Sequence, residues 1–180
     1  MPHSYSPEKF NIETDSKNLE EKAFDNLKLI LKKIPDVSIP KQKTLIKNIF
    51  DVLPGGSKIG FENYSPGRIP YVSSGSENNS VIGFVRPKNN KEITKAPAIT
   101  VTAFCNANIQ FLDFIGRGNG GSAIKTLIPK QKMSSGELLW YSSQINSQSW
   151  RFNYGIMVSL ERLEKITVTI PPNQFLKNIF

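Results

Sequence analysis

Three stretches of this 180-residue chain carry the side chains best suited to chemistry on another molecule. Gly116-Arg117-Gly118-Asn119-Gly120-Gly121 sets an arginine among glycines, which permit close backbone approach. Its planar guanidinium suits a guanine edge or a phosphate. Ser73–Ser80 (SSGSENNS) holds small hydroxyls and amides between two apolar runs. Hydroxyls of this kind donate to phosphates, and an asparagine bonds an adenine edge through both amide atoms; the plain alternative is a flexible turn. Trp150-Arg151-Phe152-Asn153-Tyr154-Gly155 interleaves aromatic, cationic and amide groups. It reads either as an edge that stacks on nucleic acid or as core aromatics, and the core reading is preferred for Trp150 and Phe152.

Most conventional catalysis is excluded by what the chain lacks. It has one cysteine, Cys105, and one histidine, His3 near the N-terminus. A disulfide within the chain, a cysteine-based zinc site, a Ser-His-Asp triad and a Cys-His nucleophile pair all need more than this. Asp113 and Glu137 are the only carboxylates between Glu92 and Glu161, too sparse for a metal-dependent nuclease. The glycine-rich loop lacks the Gly-Lys-Ser/Thr of a phosphate-binding P-loop. The expectation is a non-catalytic protein with no metal and no cofactor.

Charge points the other way, toward a polyanion. Lys and Arg total 23 against 15 Asp and Glu, a formal net charge of +8. Between Lys58 and Lys132 there are ten basic residues against four acidic ones. An excess of that kind is what a duplex binder needs, because counterions released from neutralised phosphates supply much of the affinity. Lysines crowding a solvated face are the competing explanation.

The elements that must position these groups can be read from periodicity. Residues 1–15 form a polar tail. Leu19, Ala23, Phe24, Leu27, Ile30, Leu31 and Ile34 share one face of a helix over about 17–34, stopped by Pro35; it packs on its own domain or serves as an interaction arm. A second helix is expected at about 41–50. Strands are expected at Ile69–Val72, Val81–Val85, Ala98–Thr102, Ile124–Ile128 and Ile166–Ile170, with a strand pair within Phe104–Ile115. Residues 135–149 read as helix, and Ser159–Glu164 as one more turn. The class is α+β, a strand-rich middle flanked by helices. Ile39-Pro40 before KQKTLIKNIF is echoed by Ile170-Pro171 before PNQFLKNIF, by coincidence or because a second module begins there. Absence of a signal peptide or a long apolar span makes the cytoplasm the expected location, with no membrane partner.

Taken together, these residues resemble a known family. Asn48-Ile49-Phe50-Asp51-Val52 leads to Gly55-Gly56, then Arg68-Ile69-Pro70-Tyr71-Val72-Ser73-Ser74, Asn78-Asn79 and Val81-Ile82-Gly83-Phe84. Ala98-Ile99-Thr100-Val101, Phe152-Asn153-Tyr154-Gly155, Arg162-Leu163-Glu164-Lys165-Ile166 and Ile170-Pro171-Pro172 follow. Over roughly residues 45–175 this series resembles the target recognition domain of type I restriction-modification specificity subunits and of related type IIB and IIG enzymes. Two departures stand out. Ala103-Phe104-Cys105-Asn106 occupies the place where the family commonly has a glycine, and the 17–34 helix is short for the family's spacer.

The resemblance implies double-stranded DNA as partner, together with a methyltransferase or endonuclease subunit, and either a homodimer or a second recognition domain. The implied layout is a tail (1–15), a helical arm (16–35), a recognition domain (40–175) and a C-terminal end (176–180). The expected DNA-facing residues are Lys58, Arg68, Ser73, Ser74, Ser76, Asn78, Asn79, Lys88, Arg117, Asn119, Lys125, Arg151, Asn153 and Tyr154. The alternative is a protein-interaction or assembly module whose basic surface is incidental.

Overall fold

The computed structural model describes residues 42–171. The tail, the 17–34 helix and nearly all of the C-terminal echo lie outside the described residues. Ten strands and three helices make up the rest: β1 (Lys43–Leu45), α1 (Ile46–Ile49), β2 (Phe50–Pro54), β3 (Pro66–Val72), β4 (Val81–Val85), β5 (Ile93–Thr94), β6 (Ala98–Val101), β7 (Ala107–Gln110), β8 (Phe114–Gly116), β9 (Lys125–Pro129), α2 (Ser135–Asn146), α3 (Leu160–Glu164) and β10 (Thr167–Thr169). The α+β class is as expected.

Two four-stranded sheets and a two-stranded ribbon organise them. The first sheet is antiparallel throughout, in the order β2-β9-β6-β7. The second runs β4-β3-β8-β5, with β3 and β8 parallel and the outer pairs antiparallel. β1 and β10 pair antiparallel as the ribbon. The expected Phe104–Ile115 strand pair is corrected here: its two strands, β7 and β8, go to different sheets.

The helix expected at 41–50 is also corrected. Only Ile46–Ile49 is helical, a single turn without a side-chain cap, too short to hold itself. The residues on either side find cross-strand partners, Lys43–Leu45 against Thr167–Thr169 and Phe50–Pro54 against Lys125–Pro129. Ladder bonds to distant strands outcompete the local apolar period.

Helix α2 is built to last. Ser134 and Glu137 form a reciprocal capping box, with Glu137 N donating to Ser134 Oγ at 3.2 Å and Ser134 N donating to Glu137 Oε2 at 2.7 Å, a pairing that satisfies two otherwise orphaned donors. Leu138, Tyr141, Ser142 and Ile145, spaced along one face, are buried. They meet Phe50, Ile99, Val101 and Leu127 from the first sheet, and Phe50 meets Tyr141 edge to face at 5.5 Å between centroids.

Because side chains alternate along a strand, the other face of the first sheet meets the second sheet, where Ala98 packs with Val72, Phe114 and Ile124. A third cluster, Tyr71, Val85 and Ile115 with Phe61 and Tyr64, covers the far side of the second sheet. Helix, sheet and sheet are thus layered, and loops emerge where strands end.

Candidate nucleic-acid interface

Three loops are stitched into one rim where β2, β3 and β8 end. Gly55 N donates to Ile124 O at 3.1 Å, Ser57 N to Gly116 O at 2.9 Å, and Gly118 N to Ser57 O at 2.7 Å. Arg117 N donates to Val72 O at 2.9 Å and Ser74 N to Ser122 O at 3.1 Å. The backbones run so close that a Cβ on Gly55 would collide with the Arg117 carbonyl, and one on Gly118 with the Gly55 carbonyl. These glycines are required by close approach.

The lock sets the pose of Arg117. Its Nε donates to Asn119 O at 3.3 Å, and the Asn119 amide donates to the Lys58 carbonyl. Lys58 is thereby joined to Arg117 and Asn119, which are far from it in sequence. Both Nη groups of Arg117 stay without a hydrogen-bond partner among the described residues. Ion pairs among those residues join Lys95 to Asp113, Lys130 to Asp51 and Lys165 to Glu161. The side-chain cations of Lys58, Arg68, Lys88, Arg117, Lys125 and Arg151 therefore have no ion-pair partner there.

Lys88 joins the rim through an aromatic. Its Nζ lies 5.7 Å from the centre of the Tyr64 ring, within cation–π range. The Tyr64 hydroxyl shares a 2.7 Å hydrogen bond with Ser57 Oγ. Burial holds the Tyr64 phenol above its ordinary range, so it stays neutral and can take part in that bond as donor. Arg68 is set apart, four residues back along β3 from Val72 and about 13 Å away at strand rise.

The 73–80 segment divides into residues that hold and residues that show. Ser73 is 4% exposed and donates to Ser122 O at 3.3 Å, so no groove reaches it unless the loop opens. Asn79 donates inward to Ile109 O at 2.6 Å. Ser74 is half-buried, while Ser76 and Asn78 are exposed with no side-chain hydrogen bond among the described residues.

A separate edge carries the last three expected residues. Trp150 is 81% exposed, which corrects the preferred core reading; Phe152 does pack against the helix-side core. Tyr154 is 87% exposed and meets Phe104 at 5.0 Å between ring centres. Arg151 donates to Gln148 Oε1 at 2.7 Å, and Asn153 Oδ1 accepts from Gly155 N at 2.9 Å. Ala103 O accepts from Val158 N at 2.9 Å, holding this edge to the turn after β6. Lys125 lies opposite Val101 and Pro54 in register, half-buried, and desolvation lowers the pKa of its ammonium.

Sequence reasoning missed Ser57, Tyr64, Asn108, Gln110 and Ser122, which hold the loops. The glycines around Arg117 were the signal of a close approach. Among the described residues no three His, Cys, Asp or Glu side chains gather to hold a metal, and no helix is long and apolar enough to cross a membrane.

Comparison with known proteins bears on the family and the fold. The family model described as type I restriction modification DNA specificity domain matches residues 38–179. No curated protein sequence matches the chain. Among solved structures, the HsdS subunit from Thermoanaerobacter tengcongensis superposes with a TM-score of 0.61 at 11% identity, over 92% of this chain and 44% of that one. The type I restriction-modification S subunit from M. genitalium gives 0.54 at 17% identity, over 82% and 39%. A chain from a structure on complex assembly and conformational transition of the type I system gives 0.58 at 14%, over 92% and 45%. The chain thus spans less than half the length of each. At these identities the likeness is one of fold, whereas the sequence model covers most of the chain: it belongs to the type I restriction-modification DNA specificity domain family.

Proposed function

We propose that this domain binds double-stranded DNA and reads part of a base sequence on behalf of a methyltransferase or endonuclease, without catalysing a step itself. The observation that carries the reading is the locked rim: Lys58, Lys88 and Arg117, none in an ion pair among the described residues, stand on loops that bonds to distant segments hold, and the loop bearing exposed Ser76 and Asn78 is tied to the same rim through Ser74 and Ser122. A site for recognising DNA needs both parts, since phosphate contacts supply affinity and register while base-edge contacts supply sequence information.

Lys58, Lys88 and Lys125 would meet phosphates, and Arg117 with the exposed Ser76–Asn78 part of the 73–79 loop would meet base edges. Asn119 contributes by holding the Lys58 carbonyl and the Arg117 loop. The cytoplasm is the compartment where such a protein meets DNA. Because relatives of this fold are more than twice as long, a second recognition domain, in the same polypeptide or in another copy, would complete the site.

Selection of bound sequences from a randomised duplex pool tests the reading. Recovery of a defined motif is expected, and failure to retain any duplex at low ionic strength would remove it. The assembly-module alternative draws on the exposed Trp150 and Tyr154 edge, because exposed aromatics are enriched at protein interfaces. It predicts a partner subunit bound through that edge and no retention on DNA.

A further inference from the structure

The segment between β3 and β4 contains a backbone that L-residues avoid. Asn78, Asn79 and Ser80 have φ of 48°, 57° and 63°, three successive non-glycine residues in the left-handed region. Such a run is disfavoured at every step, because Cβ crowds the following carbonyl. It persists only where surrounding structure over-determines it. A tight hairpin between β3 and β4 would need two residues, and here eight intervene.

What holds the turn comes from the other sheet. Asn79 Nδ2 donates to Ile109 O at 2.6 Å and to Gln110 Oε1 at 3.3 Å. Gln110 Nε2 returns a bond to Asn79 O at 3.0 Å and a second to Thr100 Oγ1 at 3.1 Å. Asn108 Nδ2 donates to Ser80 Oγ at 2.8 Å, and Ser80 Oγ donates on to Gly75 O at 2.6 Å. Gln110 is 4% exposed, so its amide works in a dry setting, where an unmade bond is expensive. The turn's own closure, Ser80 N to Glu77 O at 2.8 Å, is local. The amide bonds tie it to strand β7, about thirty residues away.

The strained run overlaps the exposed one, for Asn78 and Asn79 belong to both. Ser76, Glu77 and Asn78 have no side-chain hydrogen bond among the described residues, while the exposed Asn79 is held through its side chain and Ser80 is buried. We propose that Asn79 and Gln110 form an amide latch that fixes the pose of the 73–80 arm and thereby determines which bases Ser76–Asn78 address. Both are positioning residues. This inference rests on the DNA-reading function proposed above and adds to it the device that sets the arm.

Two substitutions separate the latch from the turn. Asn79→Asp keeps a residue tolerant of left-handed backbone but loses the donor to Ile109 and Gln110. Asn79→Gly relaxes the backbone altogether and also loses the donor. In the full 180-residue chain each should lower binding to the selected duplex at least about tenfold, the scale of one bidentate base contact. Binding to an unrelated duplex should fall less, so that the ratio of specific to unrelated binding drops, and the comparison is cleanest for Asn79→Gly, since Asn79→Asp also adds a negative charge that phosphates repel. Gln110→Ala should match them, and Asn79→Asp combined with Gln110→Ala should lose no more than either alone, because one latch is broken once.

Hydrogen exchange on the unaltered chain needs no variant: the Ser80 and Val81 amides should be strongly protected, and fast exchange there would show that no latch exists. Folded variants that keep the wild-type ratio of specific to unrelated binding would overturn the inference while leaving DNA reading intact. An unaltered chain that fails to discriminate between duplexes would overturn both.

Discussion

The rim formed by residues 55–58, 73–80 and 116–122 and the edge at 150–157 both present arginine and asparagine, in opposite ways. In the rim, hydrogen bonds join residues far apart in sequence: Lys58 to Asn119, Val72 to Arg117, Ser73 to Ser122, Asn79 to Ile109. At the edge the side-chain hydrogen bonds are short-range, Arg151 to Gln148, Asn153 to Gly155 and Arg162 to Met157, and a single backbone bond, from Val158 N to Ala103 O, reaches a distant turn. Long-range ties fix a group's position relative to the whole fold, as discrimination between bases requires. Local ties leave an exposed patch that can adapt, which suits contact with a surface of less exact geometry. Similar residue types can thus be set for different work by the range of their bonds.

This contrast can be broken from its base upward. Phe50→Ala removes a buried ring that supports the shared core, and should cost about 3–5 kcal/mol in urea unfolding, loosening rim and edge alike. Gly55→Ala forces a methyl into the Arg117 carbonyl and should cost about 1–3 kcal/mol. In hydrogen exchange its effect should fall on residues 116–122 and spare 150–157; equal effects on both would show that the two regions are not separately held.

Sharper tests follow on the side chains. Arg117→Ala should lower binding to the selected site by about 1–3 kcal/mol and leave unrelated duplexes less affected. Lys88→Ala should weaken both about equally and reduce the salt slope by roughly one unit. Electrophoretic shifts at two salt concentrations compare them, and identical behaviour would remove Arg117 from base reading. The smallest effect is expected from Trp150→Ala, within about 0.5 kcal/mol in stability, since the ring is exposed. Any loss should appear in binding of a partner subunit and leave DNA affinity unchanged.

Much of the scaffold was legible in the linear pattern. Val81–Val85 matches the expected strand residue for residue, because β-branched and aromatic residues bounded by turn formers have few other uses. Helix α2 was visible in the spacing of Leu138, Tyr141 and Ile145. The stretch at 41–50 misled, since its apolar residues fit a helical period while their partners, Thr167–Thr169 and Lys125–Pro129, lie 75 residues or more away. Trp150 misled for a related reason: an aromatic residue among others carries no mark of which face it will occupy. Gln110 gave no signal at all, as a lone glutamine reads as surface until the fold buries it.

Composition and order alone settled the excess of cations, the single histidine and single cysteine, the α+β class and the loops that bear amides, for each depends only on residue identity or short-range spacing. Tertiary structure decided which cations share a rim, which amides hold and which are shown, and where a left-handed backbone is tolerated. Those outcomes depend on hydrogen bonds between residues tens of positions apart, which form only once the two sheets have packed and excluded water from between them.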